Sequence, residues 1–181
     1  MSSLYKYKKI EDIPNKISIF PLNGALLLPR SQLPLNIFEP RYLEMVDNAI
    51  SSDRLIGMIQ SQESNDNKLY SIGCLGKITS FTELFIITLN GICRYKVVQE
   101  LDTLTPYRQV KVSYEEFEND LTPGYNQDKA NRDKLLDVLK KYLEKNNLQI
   151  DWDAVKGSPT ETLVNSLCSL SPYSSEEKQA L

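Results

Sequence analysis

The chain of 181 residues contains no histidine. Without an imidazole to take a proton near neutrality, neither a Ser-His-Asp nor a Cys-His nucleophilic system can be assembled. Histidine-containing zinc sites are excluded with them. Cysteine is scarce too: Cys74, Cys93 and Cys168 stand too far apart for a CxxC pair, which removes the usual zinc, iron–sulfur and dithiol redox motifs. An odd number of irregularly spaced cysteines in a chain of ordinary size reads as the buried, reduced thiols of a cytosolic protein. Long apolar runs are also missing. The densest, Ala25 to Leu28 and Leu84 to Leu89, fall far short of the roughly 20 residues that cross a bilayer. Met1 to Ile10 carries positive charge but no apolar stretch behind it, so it is no signal peptide. The expectation is a soluble, cytoplasmic protein with no membrane association. Nor is there an excess of positive charge: 21 Lys plus Arg stand against 24 Asp plus Glu, a net charge of −3. Nucleic-acid domains carry a net basic face, so a general polyanion binder is disfavoured.

The remaining composition, 41% hydrophobic and 25% charged, supports an ordinary globular core. The first two thirds read as strands. Ile17 to Phe20 alternates, and Ala25 to Leu28, closed by Pro29, reads as a strand buried on both faces. Leu33 to Phe38 belongs at an edge or a bulge, because Pro34 cannot donate to a ladder. Arg54 to Gln60, Leu69 to Phe81, Leu84 to Leu89, Ile92 to Gln99 and Arg108 to Tyr114 bring the expected total to about seven or eight strands. Between them, Pro40 suits a first helical position, and Tyr42, Met45, Val46 and Ala49 recur at helical spacing up to Ile50. This helix is expected to plug one end of a barrel. Ser61 to Lys68 is polar without periodicity, the mark of a mobile surface loop. Asn90-Gly91 fits either a tight hairpin turn or a bulge.

Composition changes near Glu115. Glu115, Glu116, Glu118 and Asp120 form a charged linker into Pro123-Gly124, and beyond it the pattern turns helical. Leu135, Leu136, Val138, Leu139, Tyr142 and Leu143 mark one face of a helix from about Asp128 to Asn146. Ser158-Pro159-Thr160-Glu161 is the capping box of a second helix, and Ser174 to Glu177 repeats that logic for a third. The third is too short to hold alone, which implies that the natural chain continues past Leu181 or that this turn docks on its neighbours.

Gly73-Cys74-Leu75-Gly76-Lys77-Ile78 contains Gly-Lys, but a phosphate loop needs wider glycine spacing and a Ser or Thr after the lysine. It reads as a strand with glycines where backbones pass closely. The acidic run lacks the alternating ligands and central glycine of a calcium loop. Tyr5-Lys6-Tyr7-Lys8-Lys9 mixes aromatic and basic side chains as single-strand nucleic-acid grips do, yet a frayed terminus looks the same. Nothing places a Ser-Lys pair in a strained elbow. The reading is therefore a protein that is not an enzyme, with no catalytic residue, metal or cofactor.

One segment stands apart: Ile17 to Pro29 followed by Leu33 to Tyr42, with four prolines at strand ends and more apolar and aromatic surface than one strand can hide. Its string, with the pattern FPL, LLLP and LPLNIFEPRY, resembles the opening of the Lon protease N-terminal domain, especially its stand-alone single-domain relatives. Asp53 to Met58, Ile72 to Ile78, Leu89 to Tyr95 and Glu177 to Leu181 extend the resemblance over nearly the whole chain. It implies an α+β fold: a mixed, PUA-like β pseudo-barrel with one inserted helix over residues 1–118, followed by a helical subdomain over 119–181. It also implies a substrate-recognition module without ATPase or protease domains, the family having no sharp ligand motif in this region. Partners would be unfolded or exposed hydrophobic polypeptide segments, and a protease that the module serves as adaptor. Phe38 and Tyr42 are expected to supply contact area, Leu33 and Leu35 the groove wall, and Arg41 a charge for a carboxylate or carbonyl. The alternative is an RNA-binding PUA-like module, which requires a local basic patch.

Overall fold

The computed structural model describes residues 7–62, 65–82, 86–145, 147 and 149–180. Six strands are found among them: β1 (Lys16–Pro21), β2 (Gln32–Asn36), β3 (Leu55–Gln62), β4 (Asn65–Phe81), β5 (Ile86–Leu101) and β6 (Gln109–Ser113). Helix α1 (Pro40–Ile50) lies between β2 and β3, on the bounds its apolar spacing predicts. Helices α2 (Arg132–Lys145), α3 (Trp152–Gly157), α4 (Thr160–Leu170) and α5 (Ser175–Ala180) follow the strands.

The strands form one mixed sheet in the order β2-β5-β4-β3-β1-β6, in which only β1 with β3 is parallel. β6 also pairs with β5, so five strands close a circuit that returns to β5. The expected mixed sheet with one inserted helix is present, its strands returning on themselves at β5. β5 is long enough for two neighbours on one side: Ile86 to Asn90 pairs with β2, and Lys96 to Leu101 pairs with β6.

Period-two alternation sorts the core into two sets. Ile17, Ile19, Leu55, Ile59, Leu75, Tyr95 and Val110 pack with one another. Ile56, Met58, Cys74, Ile78, Ile87 and Leu89 pack beneath Tyr42, Met45, Val46 and Ala49 of α1. Both faces of β3 are thereby covered, and Leu55 to Ser61 is buried throughout. The glycines of β4 sit where backbones crowd, as their spacing implies: a Cβ on Gly73 would meet the Met58 carbonyl and the Tyr95 hydroxyl. That hydroxyl donates to the Met58 carbonyl at 3.1 Å.

Several expected elements differ. Ala25 to Leu28 is not a strand: the chain from 22 to 31 is an irregular crossing in which Leu27 is buried and Ala25, Leu26 and Leu28 only half-buried. It is bonded to the sheet at Gly91, whose carbonyl accepts from Arg30 N at 2.8 Å and whose N–H donates to the Ser31 carbonyl at 2.9 Å. The two runs expected around Asn90-Gly91 are one strand, β5, and a register shift between Leu75 and Gly76 makes the site a bulge. Residues 84–85 of the first run lie outside the described residues, as do 1–6 of the N-terminal basic segment. The expected loop from Ser61 to Lys68 is mostly strand, β3 running to Gln62 and β4 starting at Asn65, with 63–64 outside the described residues.

In the helical part, α2 starts at Arg132, later than expected, with Asn131 Oδ1 accepting from Lys134 N at 2.9 Å. Ser158 does not cap α4. Its hydroxyl donates to the Ala154 carbonyl at 2.8 Å and closes α3, leaving Pro159 at the cap position of α4. α3 itself carried a legible but unread signal, Asp151, whose carboxylate accepts from Asp153 N and Ala154 N at 2.9 and 3.1 Å. The last capping box forms as expected: Ser174 Oγ accepts from Glu177 N at 3.2 Å, and Glu177 Oε2 accepts from Ser174 N at 2.8 Å. α5 docks on the sheet. Gln60 Nε2 donates to the Ser175 carbonyl at 3.1 Å, Gln179 Nε2 to the Ile72 carbonyl at 3.2 Å, and Lys178 Nζ to the Gly24 carbonyl at 2.8 Å. Leu139, Leu143, Val155 and Leu163 form a separate small core among α2, α3 and α4.

Candidate functional site

Among the described residues β2 pairs with β5 alone, and its other edge carries no strand. Pro34 in its middle removes one backbone donor, which limits indiscriminate strand addition there. Alternation along β2 turns Leu33 and Leu35 to the core: Leu35 is buried and Leu33 is half-buried against the same cluster. The chain then passes buried Ile37, reaches Phe38, and enters α1 at Pro40, whose fixed φ suits a first helical turn.

Phe38 is 77% exposed, an unusual position for a large aromatic beside a packed core. Next to it lies a cleft of about 190 Å³ walled by Phe20, Leu22, Leu35, Ile37 and Tyr42. The Phe20 and Tyr42 rings pack with centroids 4.3 Å apart and planes tilted by 42°. Burial raises the Tyr42 hydroxyl above its usual pKa, Arg41 and Arg108 opposing and Glu39 adding to the shift. The Arg41 guanidinium lies 4.5 Å over the Tyr42 ring and bonds Glu39 Oε2 at 2.7 Å. The rim is therefore a nearly neutral ion pair beside an apolar wall.

The structure brings Leu35, Phe38 and Tyr42 together at this cleft. It sets Leu33 into the core beside them and Arg41 on the rim through its stack on Tyr42. Three further lining residues, Phe20, Leu22 and Ile37, were not singled out from sequence. Phe20 was readable, since it breaks the alternation of Ile17 and Ile19 and so must face the other side of β1.

The acidic run is not a uniformly solvated linker. Glu115–Leu121 is a 3-10 helix, and Asp120 within it is buried. Asp120 accepts from Arg94 Nε at 2.9 Å, Nη2 at 2.8 Å and backbone N at 3.0 Å. Arg30, at φ 64°, bonds the Asp120 carbonyl and the Glu161 carboxylate, tying this helix, the 22–31 crossing and α4 together. Among the described residues no group of three Cys, Asp or Glu side chains is placed to hold a metal ion. Burial raises the Cys74 thiol well above its usual pKa and pushes the Cys93 thiol up to about 12, so both stay protonated at neutrality. No described helix is long and apolar enough to cross a membrane.

Comparison with known proteins places this geometry. Residues 16–181 match the family model of the ATP-dependent protease La (LON) substrate-binding domain. Lon protease 2 of Sorangium cellulosum is 27% identical over 108 residues, 54% of this chain and 13% of that protein. Lon protease of Dictyoglomus thermophilum is 29% identical over 110 residues, 56% of this chain and 14% of that protein. The matched region is thus a small fraction of these relatives' length. Among solved structures, a Lon N-terminal domain protein from Xanthomonas campestris superposes with a TM-score of 0.59 at 20% identity, covering 91% of this chain and 88% of that one. The N-terminal domain of Mycobacterium avium complex Lon protease gives the same score and coverage at 15% identity. At such identities the agreement concerns the fold: a mixed six-stranded sheet with helices.

Proposed function

The chain belongs to the family of LON substrate-binding domains, and from that premise we propose that it is a non-catalytic, cytosolic module that binds exposed apolar polypeptide segments and presents them, as an adaptor, to a protease. The observation that carries the reading is Phe38, standing exposed on the rim of an apolar cleft at the open side of β2. A bound segment would lay an apolar side chain into the wall of Phe20, Leu35 and Tyr42, with Leu33 behind it. Phe38 would close over it, while Glu39 and Arg41 offer an acceptor and a donor to its backbone. The proposal assigns the cleft to the barrel of residues 1–118 and gives 119–181 the role of a bracing helical subdomain.

An RNA-binding alternative needs unpaired cations in a cluster, and part of the described basic complement is already paired. Six Lys or Arg side chains are neutralised in ion pairs with Asp or Glu.

The test is binding of an unfolded model polypeptide, followed by fluorescence anisotropy. Phe38→Ala changes an exposed side chain and should alter stability by no more than about 0.5 kcal/mol. It should weaken binding at least about tenfold, the loss of one aromatic anchor. Unchanged binding by a folded Phe38→Ala protein rejects the site. Tyr42→Ala is the wrong probe, because removing a buried aromatic costs about 3–5 kcal/mol of stability.

A further inference from the structure

A second cleft, of about 170 Å³, lies under the 22–31 crossing, between the sheet and α5. Its apolar lining comes from Leu26, Met58, Ile72, Cys74 and Phe117. Cavities of about 150 Å³ with aliphatic walls accommodate a benzene-sized group, so this one has room for one leucine or phenylalanine side chain.

The polar part of the lining is asymmetric in charge. It contains Arg94 and Lys178 and, among the described residues, no carboxylate. Arg94 uses Nε and Nη2 on Asp120, which leaves Nη1 as the guanidinium nitrogen that Asp120 does not engage. Lys178 donates to the Gly24 carbonyl and makes no ion pair among the described residues, so two of its three N–H groups are left over. The Gln60 and Gln179 amides are already committed, to Ser175, Gly24 and Ile72. The ligand that fits has one apolar side chain and a carboxylate at the same end.

We infer that this cleft captures the C-terminal residue of a polypeptide, with an apolar side chain among Met58, Ile72 and Cys74 and the α-carboxylate on Lys178 and Arg94. A free amino acid is a poorer fit, because its ammonium would stand beside Lys178, with no carboxylate in the described lining to receive it. A peptide's amide nitrogen carries no such charge. The inference rests on the polypeptide-binding reading but uses a different site from the Phe38 cleft.

The experiment is fluorescence anisotropy with an N-terminally labelled hexapeptide ending in Leu, as the free acid, as the carboxamide, and as an Asp-terminated acid. The free acid should bind at least about tenfold tighter than the carboxamide, the usual worth of a charge-assisted hydrogen bond, and tighter than the Asp-terminated peptide. Lys178→Gln keeps a donor for the Gly24 carbonyl, and it should weaken the acid about tenfold while leaving the carboxamide unchanged. Ala180→Trp, which fills the cleft from α5, should abolish binding of the acid, and Phe38→Ala should leave it intact. Equal binding of acid and carboxamide, binding of neither, or loss of acid binding in Phe38→Ala overturns the assignment. Unfolded-polypeptide binding at Phe38 is read separately, so either site can fail without the other.

Discussion

A methyl group on Gly91 would drive into the Leu28 carbonyl, at the point where the 22–31 crossing passes over β5. The neighbour is backbone, held by two hydrogen bonds, and cannot step aside cheaply. Gly91→Ala should therefore cost about 2–3 kcal/mol, measured as a lower urea midpoint with an unchanged slope. The buried thiols make a prediction of opposite origin. Cys93 has its pKa raised from 9.0 to about 12 in the folded protein, so the native state holds its proton where the unfolded chain has released it. The stability this contributes is complete below pH 9 and is lost as pH rises from 9 towards 12. Buried Cys74, Tyr95 and Tyr114, also raised, act in the same sense. The urea midpoint should fall as pH rises from 9 towards 12. A flat profile would contradict the burial assigned to these groups.

Elements with a strong local rule were legible. α1 combines a proline at its first turn, which marks its start, with apolar residues at helical spacing that run up to Ile50. Ala25 to Leu28 misled because a short apolar run bounded by prolines has the composition of a buried strand. Its partners are instead the distant Gly76 and Gly91, whose missing side chains make room for it. Charge misled at Asp120 in the same way. An acidic run is usually solvated, and only the fold brings Arg94 from β5 to neutralise one member of it. Asp120→Asn would keep the shape and remove the charge-assisted pair, so Arg94 would lose its counterion. We expect a loss of about 2 kcal/mol, short of a fully buried pair because the Arg94 side chain is 39% exposed. Calorimetry of the variant beside a Lys96→Ala control, which removes the exposed Lys96–Glu116 pair, would separate the two situations. A loss no larger than the control's would place Asp120 among ordinary surface charges.

Across the whole molecule, the sheet pairs so that strands distant in sequence become neighbours, and that decides which surface is left for binding. The greasy segment from Leu33 to Tyr42 was conspicuous in sequence, but half of it is core: Leu35 and Tyr42 are buried, and Phe38 alone among the five expected residues is a prominent apolar side chain in solvent. Which residues of such a segment face outward depends on long-range packing, and no local pattern encodes it. The same long-range wiring governs how the molecule is made. Gly24, Pro29 and Arg30 are held by Lys178, Asn165 and Glu161, which are 154, 136 and 131 positions later in the chain. At a ribosome adding about 5–20 residues per second, the crossing waits roughly 7 to 30 seconds for its clamps. Until then Leu27 and the strand residues under it have only provisional cover, so this stretch of the nascent chain is the one most in need of shielding during synthesis.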